Sequence, residues 1–247
     1  MKARSAAIFA VALLGLQLPA FADTARSDLA LVLAVDVSGS VDDDRFKLQR
    51  EGLAAALESD DFSAAIAGGV NQTIESAVIE WAEEQRVVLP WTVIHGHGEL
   101  AAMAERLRRA GRSWVHTKTD PGGGIAAAER LLAAQPLVAD RQVIDVSGDG
   151  RQNTGELSTA DARNAAVSHG VTLNGLPITS GDDPDVDGWY SANVIGGPGA
   201  FLVLANGYDA FAEAFRQKLT LEVGGLASGR KPAIALIRGR MARSPPD

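Results

Sequence analysis

The stretch Leu29-Ala-Leu-Val-Leu-Ala-Val35, followed at once by Asp36-Val-Ser-Gly-Ser40, decides the fold of this chain. A run of consecutive apolar residues predicts a β-strand buried on both faces, which is typical of a parallel sheet covered by helices. Open α/β sheets bind their ligands in a crevice beyond the carboxyl ends of such strands. The strand therefore delivers hard oxygen donors from Asp36, Ser38 and Ser40 to the edge where a ligand is expected. This donor set suits Mg²⁺ better than zinc or copper.

Predicted strands and helices alternate along the rest of the chain. Four residues separate Trp81 from Arg86, and this spacing between two β-rich runs predicts a hairpin with one antiparallel edge strand. We therefore expect an α/β fold with a doubly wound, mainly parallel sheet and helices on both faces. Thr179–Gly199 is predicted to be a long polar loop. The strands predicted after the first are Ile74–Trp81, Arg86–Ile94, Arg141–Val146, Val171–Ile178 and Phe201–Ala205.

Length and composition exclude several classes of function. The 247 residues fit one α/β domain with short appendages. The formal net charge of -8 argues against nucleic acid as the main partner. The chain has no cysteine, which excludes disulfides, thiolate metal sites and cysteine nucleophiles.

The first 22 residues are predicted to be a cleavable signal peptide. Lys2 and Arg4 form a basic start, Ala6–Leu18 is apolar, and Ala20-Phe-Ala22 has the small-x-small form of a cleavage site. The protein is therefore expected to be exported, to the periplasm or the exterior, with no stable membrane span after cleavage. We predict one domain over residues 23–226 and a basic C-terminal tail over residues 227–247.

Two further segments bring oxygen donors to the ends of predicted elements. Thr119 stands just before the run Asp120-Pro-Gly-Gly-Gly124, which leads into a predicted helix. Asp149 lies in Ser147-Gly-Asp-Gly150, directly after a predicted strand. Their placement predicts that both side chains join the donors of the first strand at the same edge of the sheet.

The mixture of hydroxyls and carboxylates matters for the chemistry of this predicted site. Hydroxyls of Ser38, Ser40 and Thr119 can coordinate Mg²⁺ without cancelling its charge, while Asp36 and Asp149 hold waters and hydroxyls in place. The metal then stays electrophilic and keeps an open position. An Asp or Glu side chain of another protein can fill that position.

These five residues resemble the metal-ion-dependent adhesion site (MIDAS) of the von Willebrand factor type A superfamily. The pattern of that site is Asp-x-Ser-x-Ser, then a Thr in a loop before a helix, then Asp-Gly after a later strand. The resemblance implies a Rossmann-like domain that binds Mg²⁺, or Mn²⁺, at Asp36, Ser38, Ser40, Thr119 and Asp149. It also implies binding of a partner protein through the metal, with no catalytic residue and no other cofactor.

A narrower resemblance is to a bacterial exported family of unknown function within that superfamily. It covers about residues 28–225 and supplies a fold and a site but no partner. The stretches that carry it are Ala34–Ser40, Pro90–Ile94, Ile144–Gly150 and Asn193–Phe201.

The loop around the predicted threonine ligand departs from the family pattern. Gly124 stands where alanine is usual, and Thr117 is a second candidate two residues before Thr119. Asp120 adds a carboxylate beside the site. One alternative is therefore a structural domain whose site is vestigial or permanently filled by Asp120. Another is a Mg²⁺-dependent enzyme of the phosphoryl-transfer type with Asp36 as its nucleophile.

Three other patterns have weaker functional interpretations. Asp183–Gly188 imitates the start of a calcium-binding loop, but Val194 stands where a bidentate Glu is required. His95 and His97 have a spacing that can bind metal, without an evident third ligand. The adjoining pair Trp189–Tyr190 either faces a ligand or packs its loop against the domain.

Overall fold

The computed structural model describes residues 25–115, 117–180 and 183–224, and the backbone of residues 237–238. The predicted signal peptide and most of the predicted basic tail lie outside these residues. The elements are, in chain order, β1 (Arg26–Ser27), β2 (Leu29–Asp36), α1 (Asp43–Leu57), α2 (Asp60–Ala67), β3 (Ile74–Trp81), β4 (Gln85–Ile94), α3 (His97–Arg109), α4 (Pro121–Leu132), β5 (Val138–Ala139), β6 (Gln142–Gly148), α5 (Thr159–Ser168), β7 (Thr172–Pro177), α6 (Val186–Asn193), β8 (Val203–Leu204), α7 (Phe211–Gly224) and β9 (Ile237–Arg238).

The central sheet has five strands in the order β4-β3-β2-β6-β7. β2 lies in the middle and pairs in parallel with β3 and β6, and every residue of β2 is buried. In this sheet only the β3–β4 pair, a hairpin at the edge, is antiparallel. The predicted doubly wound, mainly parallel sheet with one antiparallel edge strand is therefore confirmed.

The side chains of β2 alternate between two hydrophobic cores because successive residues of a strand point to opposite faces. Leu31 and Leu33 lie in the core that α1, α3 and α7 cover. Ala30 and Ala34 lie in the core on the other face, beneath α4, α5 and α6. Helices thus cover both faces, and a strand without polar residues before Asp36 is what such double burial requires.

A cluster of buried ionic side chains ties α7 to the sheet. Lys218 of α7 is fully buried, and its Nζ lies 2.6 Å from Asp145 Oδ2 of β6 and 2.8 Å from Glu222 Oε1. Asn174 of β7 donates to both carboxylate oxygens of Glu222, at 2.8 and 2.9 Å. The charge of Lys218 compensates two buried carboxylates, and the pairing fixes the position of α7 against β6 and β7.

The prediction of an uninterrupted loop over Thr179–Gly199 is wrong, because α6 lies within it. The Asp and Gly residues in and around this helix are typical of a loop. The apolar residues among them, however, recur at every fourth position. Val186, Tyr190 and Val194 are fully buried on one side of the segment. This spacing is the periodicity of a helix with one buried face. α2 was not predicted either; Ser59 caps it by accepting from Phe62 N.

Among the residues that the structure describes, none of the helices has the length and apolar character needed to cross a bilayer.

The departure at Gly124 has a steric cause. Gly124 lies in the first turn of α4, against the fully buried ring of Trp81 at the end of β3. A Cβ atom at this position would lie 2.9 Å from Cγ of Trp81 and 3.1 Å from its Cβ. The large residue on β3 therefore requires glycine on α4.

We expect Gly124→Ala to lower the free energy of unfolding by about 1–3 kcal/mol, because the added methyl group overpacks the core around Trp81. Urea unfolding followed by circular dichroism measures this loss. Gly98→Ala is the matched control, since a Cβ atom there meets no described atom within 4 Å. Alanine in that helical position should be neutral or stabilising. Equal stability of the Gly124→Ala variant and the wild type would contradict the steric explanation.

Candidate metal centre

The first part of the site is the turn that follows β2. Asp36 is fully buried, and its Oδ1 accepts a hydrogen bond from the backbone N–H of Ser38 at 2.7 Å. The backbone N–H of Val37 donates to Trp81 O of β3 at 2.9 Å. These bonds curl the chain over the end of the sheet, so that the hydroxyl groups of Ser38 and Ser40 face each other at 3.3 Å.

The neighbouring strand β6 supplies the second part of the site. Asp149 follows β6 directly, and its Oδ1 accepts a hydrogen bond of 2.5 Å from Ser40 Oγ. Because β2 and β6 are adjacent and parallel, their carboxyl ends meet at the same edge. The structure therefore brings Asp36, Ser38, Ser40 and Asp149 together in one continuous group.

Thr119 lies beside this group, in the loop before α4. It is buried, and three hydrogen bonds join it to Asn153: Thr119 N donates to Asn153 Oδ1 at 2.8 Å, Asn153 N donates to Thr119 O at 3.0 Å, and Asn153 Nδ2 donates to Thr119 Oγ1 at 3.5 Å. A Cβ atom on Gly150 would lie 3.9 Å from Thr119 Oγ1. Thr117, the other candidate, contacts the site through its backbone oxygen, which accepts from Gly39 N at 2.8 Å.

The side chain of Asp120 serves as the N-cap of α4. Its Oδ1 accepts from Gly123 N at 3.0 Å and from Gln152 Nε2 at 3.5 Å. Among the described residues it makes no hydrogen bond with Ser38 or Ser40. The alternative in which Asp120 permanently fills the site therefore finds no support in this geometry.

Arg112 stabilises the turn through its backbone oxygens, and no sequence pattern indicates this role. Its side chain is 11% exposed, and its Nη2 donates to the backbone oxygens of Val37 at 3.1 Å, Ser38 at 3.2 Å and Val41. Its Nη1 lies 3.3 Å from Asp43 Oδ1. One guanidinium thus satisfies three carbonyl oxygens of a turn that has little regular structure of its own.

Arg45, in the first turn of α1, is the second functional candidate that sequence reasoning missed. Its Nη1 donates to Ser40 O at 2.6 Å and lies 3.5 Å from Asp149 Oδ2. Its guanidinium group also lies 5.3 Å from the centre of the Tyr208 ring. Arg45 carries no motif in sequence, and the acidic residues Asp42, Asp43 and Asp44 just before it are typical of the start of a helix.

The electrostatics of the site favour a cation. Oδ2 of Asp36 and Oδ2 of Asp149 are buried without a hydrogen-bond partner among the described residues. Burial, and then the negative charge of Asp149, raise the pKa of Asp36 to about 7. Two buried carboxylates and three hydroxyls form an oxygen-only donor set, which is the kind that Mg²⁺ binds. The residues present therefore fit a divalent cation.

The weaker sequence patterns have ordinary structural explanations. Asp183 pairs with Arg151, with Arg151 Nε 2.6 Å from Asp183 Oδ2. His95 Nδ1 lies 3.0 Å from Thr73 Oγ1, and His97 Nε2 lies 3.7 Å from an oxygen of Asp60. Within the described ranges, no group of three or more His, Cys, Asp or Glu side chains is placed to hold a metal ion.

The aromatic pair packs against the domain. Tyr190 is fully buried in the core beneath α4, α5 and α6, and Trp189 lies edge-on to it with ring centres 5.7 Å apart. A Cβ atom on Gly148 would lie 2.7 Å from both Tyr190 Oη and Asp36 Oδ2. The Tyr190 hydroxyl therefore stands directly behind the candidate site.

Comparison with solved structures supports the fold. A von Willebrand factor type A protein from Catenulispora acidiphila matches with a TM-score of 0.57 and 20% identity, over 80% of this chain and 43% of that one. Proximal thread matrix protein 1 from the mussel byssus, in a structure with a zinc-occupied MIDAS motif, matches with a TM-score of 0.58 and 13% identity, over 80% and 46%. This chain thus spans less than half of either protein.

A third neighbour has nearly the extent of the present domain. The vWF domain of the type V pili tip protein Mfa5 from Porphyromonas gingivalis matches with a TM-score of 0.55 and 11% identity, over 81% of this chain and 97% of that one. No curated protein sequence matches the chain. The family described as "Protein of unknown function (DUF1194)" matches residues 26–227. The chain therefore belongs to this family, and its fold is that of a von Willebrand factor type A domain.

Proposed function

We propose that this chain is an exported protein-binding module that works through a bound divalent cation. Ser38, Ser40 and Thr119 hold Mg²⁺, or Mn²⁺, by their hydroxyl oxygens, and Asp36 and Asp149 orient the donors around the ion. The observation that carries this proposal is the pair of buried carboxylate oxygens without hydrogen-bond partners, beside a chain of hydroxyls at the edge of the sheet.

The proposed ligand is an Asp or Glu side chain of a partner protein. When bound, the cation supplies a Lewis-acid centre whose charge neutral hydroxyls do not cancel, so a carboxylate is its natural remaining ligand. The site is assigned to binding rather than catalysis, since Ser38 stands where a phosphoryl-transfer site would place a second carboxylate. The mussel protein with zinc at its MIDAS motif and the pilus tip domain support a role in adhesion or protein interaction.

The first test is thermal unfolding of the protein with excess Mg²⁺ and with EDTA. Mg²⁺ at about 100 times its Kd should stabilise the fold by about 2.7 kcal/mol, which raises the Tm by several degrees. Ser38→Ala should abolish this shift, because it removes one donor oxygen and keeps the backbone bond from Ser38 N to Asp36. Ser168→Ala, on the exposed side of α5, is the matched control and should keep the full shift.

The carboxylate is tested in the same assay. Sodium acetate, compared with sodium chloride at equal ionic strength, should raise the Tm further when Mg²⁺ is present and should have no effect in EDTA. If Mg²⁺ still raises the Tm of the Ser38→Ala variant, the metal binds elsewhere and the proposal is contradicted. If acetate changes the Tm equally with and without Mg²⁺, the proposal that a carboxylate binds to the metal would be contradicted.

A further inference from the structure

We propose that Arg45 is the counter-ion of the metal-free site, and that it couples the binding of Mg²⁺ to the arrival of a carboxylate. This inference rests on the proposed function and adds a residue that no family pattern assigns. Its consequence is that the cation binds weakly alone and firmly once an acidic side chain joins it.

The first support is geometric. Arg45 Nη1 donates to Ser40 O at 2.6 Å and lies 3.5 Å from Asp149 Oδ2, while Ser40 Oγ donates to Asp149 Oδ1 at 2.5 Å. Arg45, Ser40 and Asp149 therefore form a closed triangle of contacts. The guanidinium lies against a proposed ligand residue and against the carboxylate that orients it.

The second support is the balance of charge. The Asp149 side chain is fully buried, and Asp36 is a second buried carboxylate close to it. A buried carboxylate requires a compensating charge, and Arg45 supplies one to Asp149 when no metal is bound. Arg112 is also near the turn, but its Nη2 is engaged by backbone oxygens and its Nη1 by Asp43.

The third support is that Arg45 can leave Asp149 without losing every partner. Its side chain is 31% exposed, and its Nε lies 3.7 Å from Oδ2 of Asp42, which is on the surface. Its guanidinium also packs against the ring of Tyr208. When a cation takes its place at Asp149, the arginine keeps these contacts and stays close to the metal.

Coulomb repulsion then determines the consequence. A guanidinium held a few ångströms from a divalent ion, in a partly buried site, weakens metal affinity by about tenfold or more. An incoming carboxylate is attracted by both cations and reduces their mutual repulsion. Metal and carboxylate therefore bind cooperatively, and Arg45 sets the strength of that coupling.

The experiment is isothermal titration calorimetry of Mg²⁺ into the purified protein, with and without sodium acetate as the probe carboxylate. Arg45→Gln should lower the Kd for Mg²⁺ alone by about tenfold and should shrink the effect of acetate on that Kd. Lys47→Gln is the matched control, because it makes the same charge change in the same helix, where Lys47 Nζ contacts only the exposed Asp44, at 3.3 Å, among described residues. Its Kd should stay within about twofold of the wild type.

Two further readouts separate this inference from the proposed function. In EDTA, Arg45→Gln should lower the Tm by several degrees, since Asp149 loses its counter-ion. Arg45→Lys keeps the charge, and its affinity for Mg²⁺ should therefore stay within about threefold of the wild type. Equal Mg²⁺ affinity of wild type and Arg45→Gln overturns the inference and leaves the proposed function standing. No Mg²⁺ binding by either protein contradicts both.

Discussion

Replacing Lys218 by methionine is expected to lower the free energy of unfolding by about 3–5 kcal/mol. Methionine keeps the unbranched shape of the side chain and removes its charge, which leaves Asp145 and Glu222 buried together without the ammonium group that contacts both. Breaking one member of a buried ionic cluster costs more than the cluster contributes, because the remaining charges cannot return to water. Urea unfolding at pH 7.5, in the presence of EDTA, measures the loss.

Two variants make this experiment decisive. Lys47→Met removes a charge from an exposed lysine and should change stability by no more than about 0.5 kcal/mol. The triple variant Lys218→Met, Asp145→Asn, Glu222→Gln neutralises the whole cluster and should recover most of the lost stability. If Lys218→Met alone is as stable as the wild type, the two carboxylates do not depend on Lys218 for their charge balance.

The stability of the protein is expected to fall as the pH rises from about 4 to about 6, through Asp145. Burial, and then the negative charge of Glu222, raise the pKa of Asp145 from 3.8 to about 6, although Lys218 opposes the shift. The folded state therefore binds the proton of Asp145 more tightly than the unfolded state. This contribution to stability is complete below the unfolded pKa and is lost as the pH passes the folded one.

The size of this effect follows from the shift. About two pKa units correspond to about 3 kcal/mol. We expect the stability of the wild type relative to Asp145→Asn to decline by most of this amount between pH 4 and pH 7, measured by urea unfolding in EDTA. Asp36 titrates in both proteins, so its contribution cancels in the difference. Parallel pH curves for the two proteins would show that Asp145 has the same pKa in the folded and the unfolded state.

The fold could be predicted because one strand contains most of the information. An apolar run as long as β2 must be buried on both faces, and only a sheet covered by helices on both sides provides that environment. The hairpin of β3 and β4 could be predicted because its turn is local. α6 could not be predicted, because its polar residues resemble those of a loop. This short helix is stabilised by packing of its buried residues against β7 and α5.

The site was predictable to the extent that it depends on strand ends. Asp36 and Asp149 follow strands that the pattern identified, so their meeting at one edge follows from the topology. Arg45 and Arg112 could not be predicted in their present roles. Each is an ordinary polar residue in sequence, and each acquires its role through contacts with backbone oxygens whose positions only the folded turn defines. The need for glycine at position 124 could not be predicted either, because it arises from contact with Trp81, which is distant in the sequence.

The topology of the sheet also determines when the site comes into existence during folding. In the described sheet only the β3–β4 pairing is local; β2 must find β6, whose Gln142 pairs with Ala30, far away along the chain. Pairings between distant segments form slowly, since a long loop must close first. Because Asp36 ends β2 and Asp149 follows β6, the donors of the site meet only when this long-range pairing is made. If the proposed function holds, metal binding would therefore report that β2 and β6 have paired, and a chain without this pairing would lack the candidate site.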